Sequence, residues 1–265
     1  MYAFRYSTAS SVADASARLN GNQESKLLAG GQTLIASMKL RLTSPAELVD
    51  LANVKELRGI KVDGSSVTIG AMTRHAEVAR SAEVQKAIPA LAALAGGIGD
   101  RMVRNMGTLG GSVANNDPAA DYPAAVVGLN ATIQTDKRKI AADDFFKGMY
   151  ETALQQGEII TSISFPIPKR AAYMKFRNPA SRYALVGVFV ADTQGGPRVA
   201  VTGAGPSVFR VPQMEKALAA KFAPESVAGI SIPAEGLNSD LHAQADYRAH
   251  LVTVMAKRAV EAALK

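Results

Sequence analysis

A chain of 265 residues with 48% apolar and 20% charged residues can bury the cores of two modest domains and has the composition of a soluble globular protein. It has no cysteine, which excludes disulfides, thiolate zinc sites, thiolate catalysis and iron–sulfur clusters bound through its own cysteines. The formal charge of +7 points to an acidic partner or to nothing specific, not to nucleic acid: Lys137-Arg138-Lys139 is the only basic triplet, and no row of aromatics interleaves the positive residues.

In chain order, Tyr2 to Tyr6 alternates large and small residues like an edge strand, and Ser10 or Ser11 can cap a helix with Val12, Ala15 and Leu19 on its apolar face. Gly21-Asn22 ends that helix. Lys26 to Ala29 reads as a short buried strand, followed directly by Gly30-Gly31-Gln32-Thr33 and a helix-like run from Leu34 to Leu40. A strand at Glu47 to Leu51 closes a small α+β lobe.

Ile60 to Val62 and Ser66 to Gly70 flank Asp63-Gly64, a hairpin signal. Thr73 can cap a helix through Arg80, and Ser81 can cap the next, whose buried part runs from Ile88 to Leu94 with Pro89 interrupting its start. Gly96 to Gly99 stops helical structure. Tyr122 to Leu129 is an apolar helix, and Ala131 to Thr135 and Ile159 to Phe165 are strands, with the basic triplet at the hairpin turn after the first of them.

Pro166-Ile167-Pro168 enforces an extended connector and marks the expected division between residues 1–167 and 168–265, the first part falling into subdomains of about 1–58 and 59–167. Beyond it, Ala172 to Phe176, Ala184 to Ala191 and Arg198 to Thr202 predict a three-stranded sheet. Helices at Pro212 to Phe222 and about Asp246 to Leu264 cover it.

Two stretches carry the chemistry: Gly30 to Leu34, and the polar, glycine-rich segment Arg104 to Asp121, which reads as a ligand-holding loop. Glycine turns leading into helices let backbone N–H groups converge on a phosphate, since a residue without Cβ permits positive φ and close approach. Thr33 and Thr108 place hydroxyls beside Gly30-Gly31 and Gly110-Gly111. Asp121 would repel phosphate, so it suits sugar hydroxyls, and Asn115 and Asn116 offer donors and acceptors. Neither glycine pair matches the dinucleotide or P-loop fingerprint, so the ligand is a nucleotide of unspecified kind. His75, His242 and His250 match no zinc helix or triad and are expected at surface or half-buried positions.

Ala29-Gly30-Gly31-Gln32-Thr33-Leu34 with Met38-Lys39, and Arg104-Asn105 with Gly107-Thr108-Leu109-Gly110-Gly111-Ser112 and Pro118 and Asp121, resemble the two flavin motifs of the FAD-binding medium subunit of the xanthine dehydrogenase and carbon monoxide dehydrogenase family of molybdenum hydroxylases. Lys175-Phe176-Arg177 to Ala184 resembles the start of that family's C-terminal domain. The resemblance implies an α+β chain: a two-part FAD domain of the vanillyl-alcohol-oxidase (PCMH) type and a small α+β C-terminal domain. It implies FAD along Gly30, Gly31, Gln32, Thr33 and Leu34, with Ala29 beside them, and along Thr108, Gly110, Gly111 and Ser112. It places Asn115 and Asp121 on the sugar and Lys175 near the flavin ring or a subunit contact. Ser112 stands where many relatives have Asn.

The resemblance further implies partners: a large molybdopterin subunit and a small subunit with [2Fe-2S] clusters that feeds electrons to FAD, which passes them to an external acceptor. No catalytic side chain and no metal site of this chain's own is then required. A self-sufficient flavin oxidase and a non-enzymatic nucleotide-binding module are the competing readings. No stretch approaches the ~20 apolar residues of a membrane helix. Met1 to Leu19 carries Arg5, Asp14 and Arg18 where a signal peptide would be apolar, so a cytoplasmic location is expected.

Overall fold

In the computed structural model, which describes all 265 residues, β1 (Arg5–Thr8) leads to Ser11, whose hydroxyl accepts the Asp14 N–H at 3.1 Å and caps α1 (Val12–Gly21). Ala15 and Leu19, four residues apart, form the buried stripe of that helix. β2 (Ser25–Leu28), α2 (Leu34–Lys39) and β3 (Glu47–Asp50) follow, and two helical crossovers make the sheet parallel, in the order β1-β3-β2. The edge strand lies a few residues later than Tyr2 to Tyr6, and β2 is buried only at Ser25, with Lys26 exposed and Leu27 and Leu28 half-buried.

The second lobe opens on the expected hairpin of β4 (Ile60–Val62) and β5 (Ser66–Gly70), with Gly64 at φ +89° and the Asp63 carboxylate accepting from the Ser65 and Ser66 N–H groups. Then come α3 (His75–Arg80), α4 (Ala82–Ala87), α5 (Pro89–Gly96), α6 (Arg101–Met106), α7 (Leu109–Asn115) and α8 (Tyr122–Gly128). β6 (Thr132–Thr135), β7 (Lys139–Ala141), α9 (Ala142–Phe145), β8 (Phe146–Gly148), β9 (Glu151–Thr152) and β10 (Ile160–Pro166) complete it. β4-β5-β10-β6-β7 is one antiparallel sheet, and β8 with β9 is a separate small hairpin.

Three local expectations change here. Ser81 caps α4, but Thr73 does not cap α3; its hydroxyl donates to the Gly59 carbonyl at 3.2 Å instead. Pro89 takes the first position of its own helix, where its missing N–H costs nothing, so the chain breaks at Ile88. The largest correction concerns Arg104 to Asp121. Most of it is helical, in α6 and α7, and Leu109, Gly110 and Val113 are buried core.

β11 (Arg170–Arg177), β12 (Ala184–Thr193), β13 (Gly196–Thr202) and β14 (Phe209–Arg210) form a four-stranded antiparallel sheet, one strand more than expected. β14 is too short to show a period-2 pattern, and it is fixed by Arg210, which pairs with Glu215 at 2.6 Å and Asp143 at 3.0 Å. α10 (Pro212–Ala220), α11 (Pro224–Ala228) and α12 (Ala245–Ala263) follow. β12 is buried on both faces: Val186, Val188 and Val190 pack in the core with Met214, Val252 and Met255, while Phe189 and Ala191 join the core that holds Tyr122, Val126 and Phe165. The last sheet is therefore sandwiched between its own helices and the second lobe.

Candidate functional site

The two glycine turns face each other across a cavity of about 900 Å³, near the top of the usual range for small-molecule sites. Ala29, Gly30, Gly31, Gln32, Thr33 and Leu34 line one side; Thr108, Gly110, Gly111, Ser112, Asn115 and Asp121 line the other. Lys175 is not in the wall but reaches Asp121 from behind it. The glycines bring the sides into contact. A Cβ on Gly30 would lie 2.2 Å from the Met106 carbonyl oxygen, and one on Gly111 would lie 3.5 Å from the Ala29 Cβ.

The first turn leaves β2 and enters α2 through Gly31, at φ +70°. No protein acceptor takes the N–H of Gly30, Gly31, Gln32, Thr33 or Leu34; the first to bond back is Ile35, to the Gly31 carbonyl at 3.1 Å. Thr33 precedes the helix without using its hydroxyl as a cap. Five successive free donors on a cavity wall form a row suited to an anion.

The second turn is built differently. Thr108 caps α7 by accepting the Gly111 N–H at 3.2 Å. Leu109 donates to Thr73 O at 3.0 Å, Gly110 to Ala71 O at 2.8 Å, and Ser112 to Thr108 O at 3.1 Å. A Cβ at Gly110 would sit 2.5 Å from the Ala71 Cβ, so Gly110 serves close packing of backbone on backbone. What this side offers a ligand is the hydroxyl hydrogens of Thr108 and Ser112 and the amide of Asn115, none of which the protein uses. Asn116 points elsewhere. Fully buried at φ 42°, it donates through Nδ2 to Gly148 O and Glu151 O at 2.7 and 2.8 Å and so anchors the β8–β9 hairpin.

Beneath both turns, Asp121 accepts from Tyr173 Oη at 2.5 Å and pairs with Lys175 Nζ at 2.9 Å, and Lys175 also donates to Gly97 O at 3.0 Å. Burial pushes the Asp121 carboxyl above its ordinary range, against the pull of Lys175 and Tyr173. Burial and the neighbouring Asp121 push the Tyr173 phenol well up. Tyr173 is a site residue that its strand pattern alone could not announce.

At the mouth stand Tyr150 and Tyr183, both half exposed. Tyr150, at φ 58°, donates to the Asp117 carboxylate at 3.4 Å. Against expectation, His75 is buried. It lines the cavity, its ring lies 5.3 Å from that of Tyr122, and burial together with nearby Arg104 holds its pKa at about 4. The sequence signal for it is its place on the same helix face as Val78, three residues on and fully buried. No cluster of His, Asp and Glu suited to a metal is present, and no helix is long and apolar enough to cross a membrane.

Residues 2–168 match the model of the family described as the FAD binding domain in molybdopterin dehydrogenase. The chain is 36% identical over 272 residues to the nicotine 6-hydroxylase medium subunit of Paenarthrobacter nicotinovorans, covering 97% of this chain and 96% of that protein. It is 36% identical over 281 residues to the carbon monoxide dehydrogenase medium chain of Hydrogenophaga pseudoflava, covering 98% and 96%. Among solved structures, carbon monoxide dehydrogenase from Hydrogenophaga pseudoflava superposes with a TM-score of 0.90 at 35% identity, over 99% of this chain and 98% of that one. Quinoline 2-oxidoreductase from Pseudomonas putida 86 superposes with a TM-score of 0.91 at 30% identity, over 99% and 97%. With this match across the first two lobes and full-length likeness to medium subunits, the chain belongs to the molybdopterin dehydrogenase FAD-binding family.

Proposed function

We infer that this chain is the FAD-carrying electron-transfer subunit of a molybdenum hydroxylase complex. It receives electrons from [2Fe-2S] clusters of a small partner subunit, while substrate is hydroxylated at a molybdopterin centre in a large one, and it passes the electrons to an external acceptor. The observation that carries this reading is the row of free N–H groups from Gly30 to Leu34 facing hydroxyls of Thr108 and Ser112 across a dinucleotide-sized cavity. The absence of cysteine fits clusters held by another chain.

Bound FAD supplies the redox chemistry, and the protein supplies position and field. In this reading the N–H groups of Gly30 to Leu34 and the Thr33, Thr108 and Ser112 hydroxyls hold the diphosphate, and Asn115 and Asp121 hold the sugar portion. Lys175, paired with Asp121 beneath the turns, lies near the flavin ring or a subunit contact. Ala29, Gly110 and Gly111 contribute surface and close approach. Residues 1–167 form the FAD domain and 168–265 the C-terminal domain, and the complex works in the cytoplasm.

The test is direct. The purified chain should show a flavin absorption spectrum, or acquire one on titration with FAD, and anaerobic addition of the two partner subunits with substrate should bleach it. A colourless chain that takes up no FAD overturns the assignment. Flavin that stays oxidised beside reduced partners supports a nucleotide-binding module instead.

A further inference from the structure

We propose that His75 is a further cofactor-binding residue, its ring N–H donating to a phosphate oxygen of the FAD diphosphate. This rests on the FAD reading and extends its site beyond the two glycine motifs. His75 retains 4% of its surface yet lines the cavity, and neither ring nitrogen has a hydrogen-bond partner in the protein; Nδ1 is sealed off, so Nε2 is the nitrogen that can meet a ligand. Buried polar atoms in folded proteins are nearly always paired, so a cavity-lining imidazole without a protein partner is a place for a ligand group.

The His75 backbone N–H donates to Gly107 O at 3.0 Å, and the ring face packs against Tyr122 at an interplanar angle of 52°. Nε2 lies against Gly107, where a Cβ would come within 2.6 Å of it, so only backbone stands beside that edge of the ring.

Position selects the phosphate. Gly107 Cα lies 2.7 Å from where a Cβ on Gly30 would be, so His75, Gly107 and Gly30 stack in that order and the imidazole stands one backbone thickness from the row of free N–H groups. The ionisable groups packed around it are Arg104 from α6 and Tyr122 from α8, and α5 brings none. Burial and Arg104 keep the ring neutral, so it acts as an uncharged donor with one N–H and one acceptor nitrogen.

The experiment titrates FAD and, separately, ADP, which carries a diphosphate without flavin, into the cofactor-stripped full chain as wild type, His75→Phe and His75→Asn. Wild type binding both ligands, with His75→Phe weaker for both by roughly 10- to 100-fold and the amide variant in between, is the expected result. The ring ¹⁵N signals of His75 should move when wild type takes up FAD and also when it takes up ADP, which carries the diphosphate without the flavin ring.

His75→Phe binding FAD within twofold of wild type overturns the proposal. A loss seen with FAD but not ADP overturns the phosphate assignment. Should His75→Phe fail to fold, unchanged ¹⁵N signals on FAD uptake by wild type overturn it in its place. Wild type that binds no FAD fails at the first titration, and so refutes the FAD reading itself before any variant is compared.

Discussion

The two glycine turns look alike in sequence, each a Gly-Gly pair beside a threonine, and they do opposite work. Gly30 to Leu34 leaves its N–H groups free, whereas the N–H groups from Leu109 to Ser112 are consumed by Thr108, Thr73 and Ala71. One turn is an open row of donors; the other is a closed and capped wall that gives shape and hydroxyls. A glycine pair therefore reports room for backbone, and only the hydrogen-bond ledger around it shows whether that room is for a ligand or for the protein.

The comparison breaks most completely at Gly30. Gly30→Ala puts a Cβ 2.2 Å from the Met106 carbonyl oxygen and must part the two turns, so FAD binding should be lost altogether, as read by flavin absorbance after gel filtration. Gly31→Val should do the same through the open turn alone, since φ +70° opposes a branched residue. Gly111→Val strikes the closed turn, where its Cβ would sit 2.9 Å from Thr108 Oγ1 and disturb the cap. Retained flavin in both valine variants would count against the site.

Lys175→Met acts beneath both turns. It leaves the Asp121 carboxylate buried without its cation, at a cost of about 3 to 5 kcal/mol in folding stability, measured by urea unfolding, and Lys175→Met with Asp121→Asn should recover part of it. The single variant unfolding like wild type would show that the pair carries little.

Thr108→Ala and Ser112→Ala separate the two kinds of contribution. Thr108→Ala loses a helix cap as well as a ligand hydroxyl, so it should destabilise the cofactor-free chain by about 1 kcal/mol and weaken FAD binding by ~1.5 to 3 kcal/mol. Ser112→Ala should leave the cofactor-free chain unchanged and weaken FAD alone. Equal thermal shifts in the two cofactor-free variants would refute the distinction.

The smallest effect is expected at Glu158. Hydrogen bonds from Arg138 hold its carboxyl down to about 2, below the unfolded value, so its contribution to stability is full above about pH 4.5 and is lost as pH falls through about 2. Glu158→Gln should flatten the acid limb of the melting-temperature profile.

Which residues line the cavity was legible, because glycines beside hydroxyl residues mark places where the backbone can be approached closely. The site's local structure was not. Gly110 and Gly111 each disfavour helix by about 1 kcal/mol, so the segment reads as loop. Contacts distant in sequence, Gly110 to Ala71 and Leu109 to Thr73, make it helical. The same limit hid His75, whose burial depends on Gly107 and Tyr122, and β14, whose two residues depend on Asp143 and Glu215. The hairpin at Asp63-Gly64 was plain because every interaction that fixes it is local.

The double burial of β12 bears on how this chain melts. Phe189 meets Gly128 so closely that a Cβ there would lie 2.8 Å from its ring, and Val188 beside it belongs to the opposite core. No cut through the Pro166-Ile167-Pro168 connector separates those cores. Calorimetry should accordingly show one endotherm for the whole chain, shifted upward as a unit by FAD even though the match to the FAD-binding family ends at residue 168, and a protease nick at the connector should leave the two fragments associated.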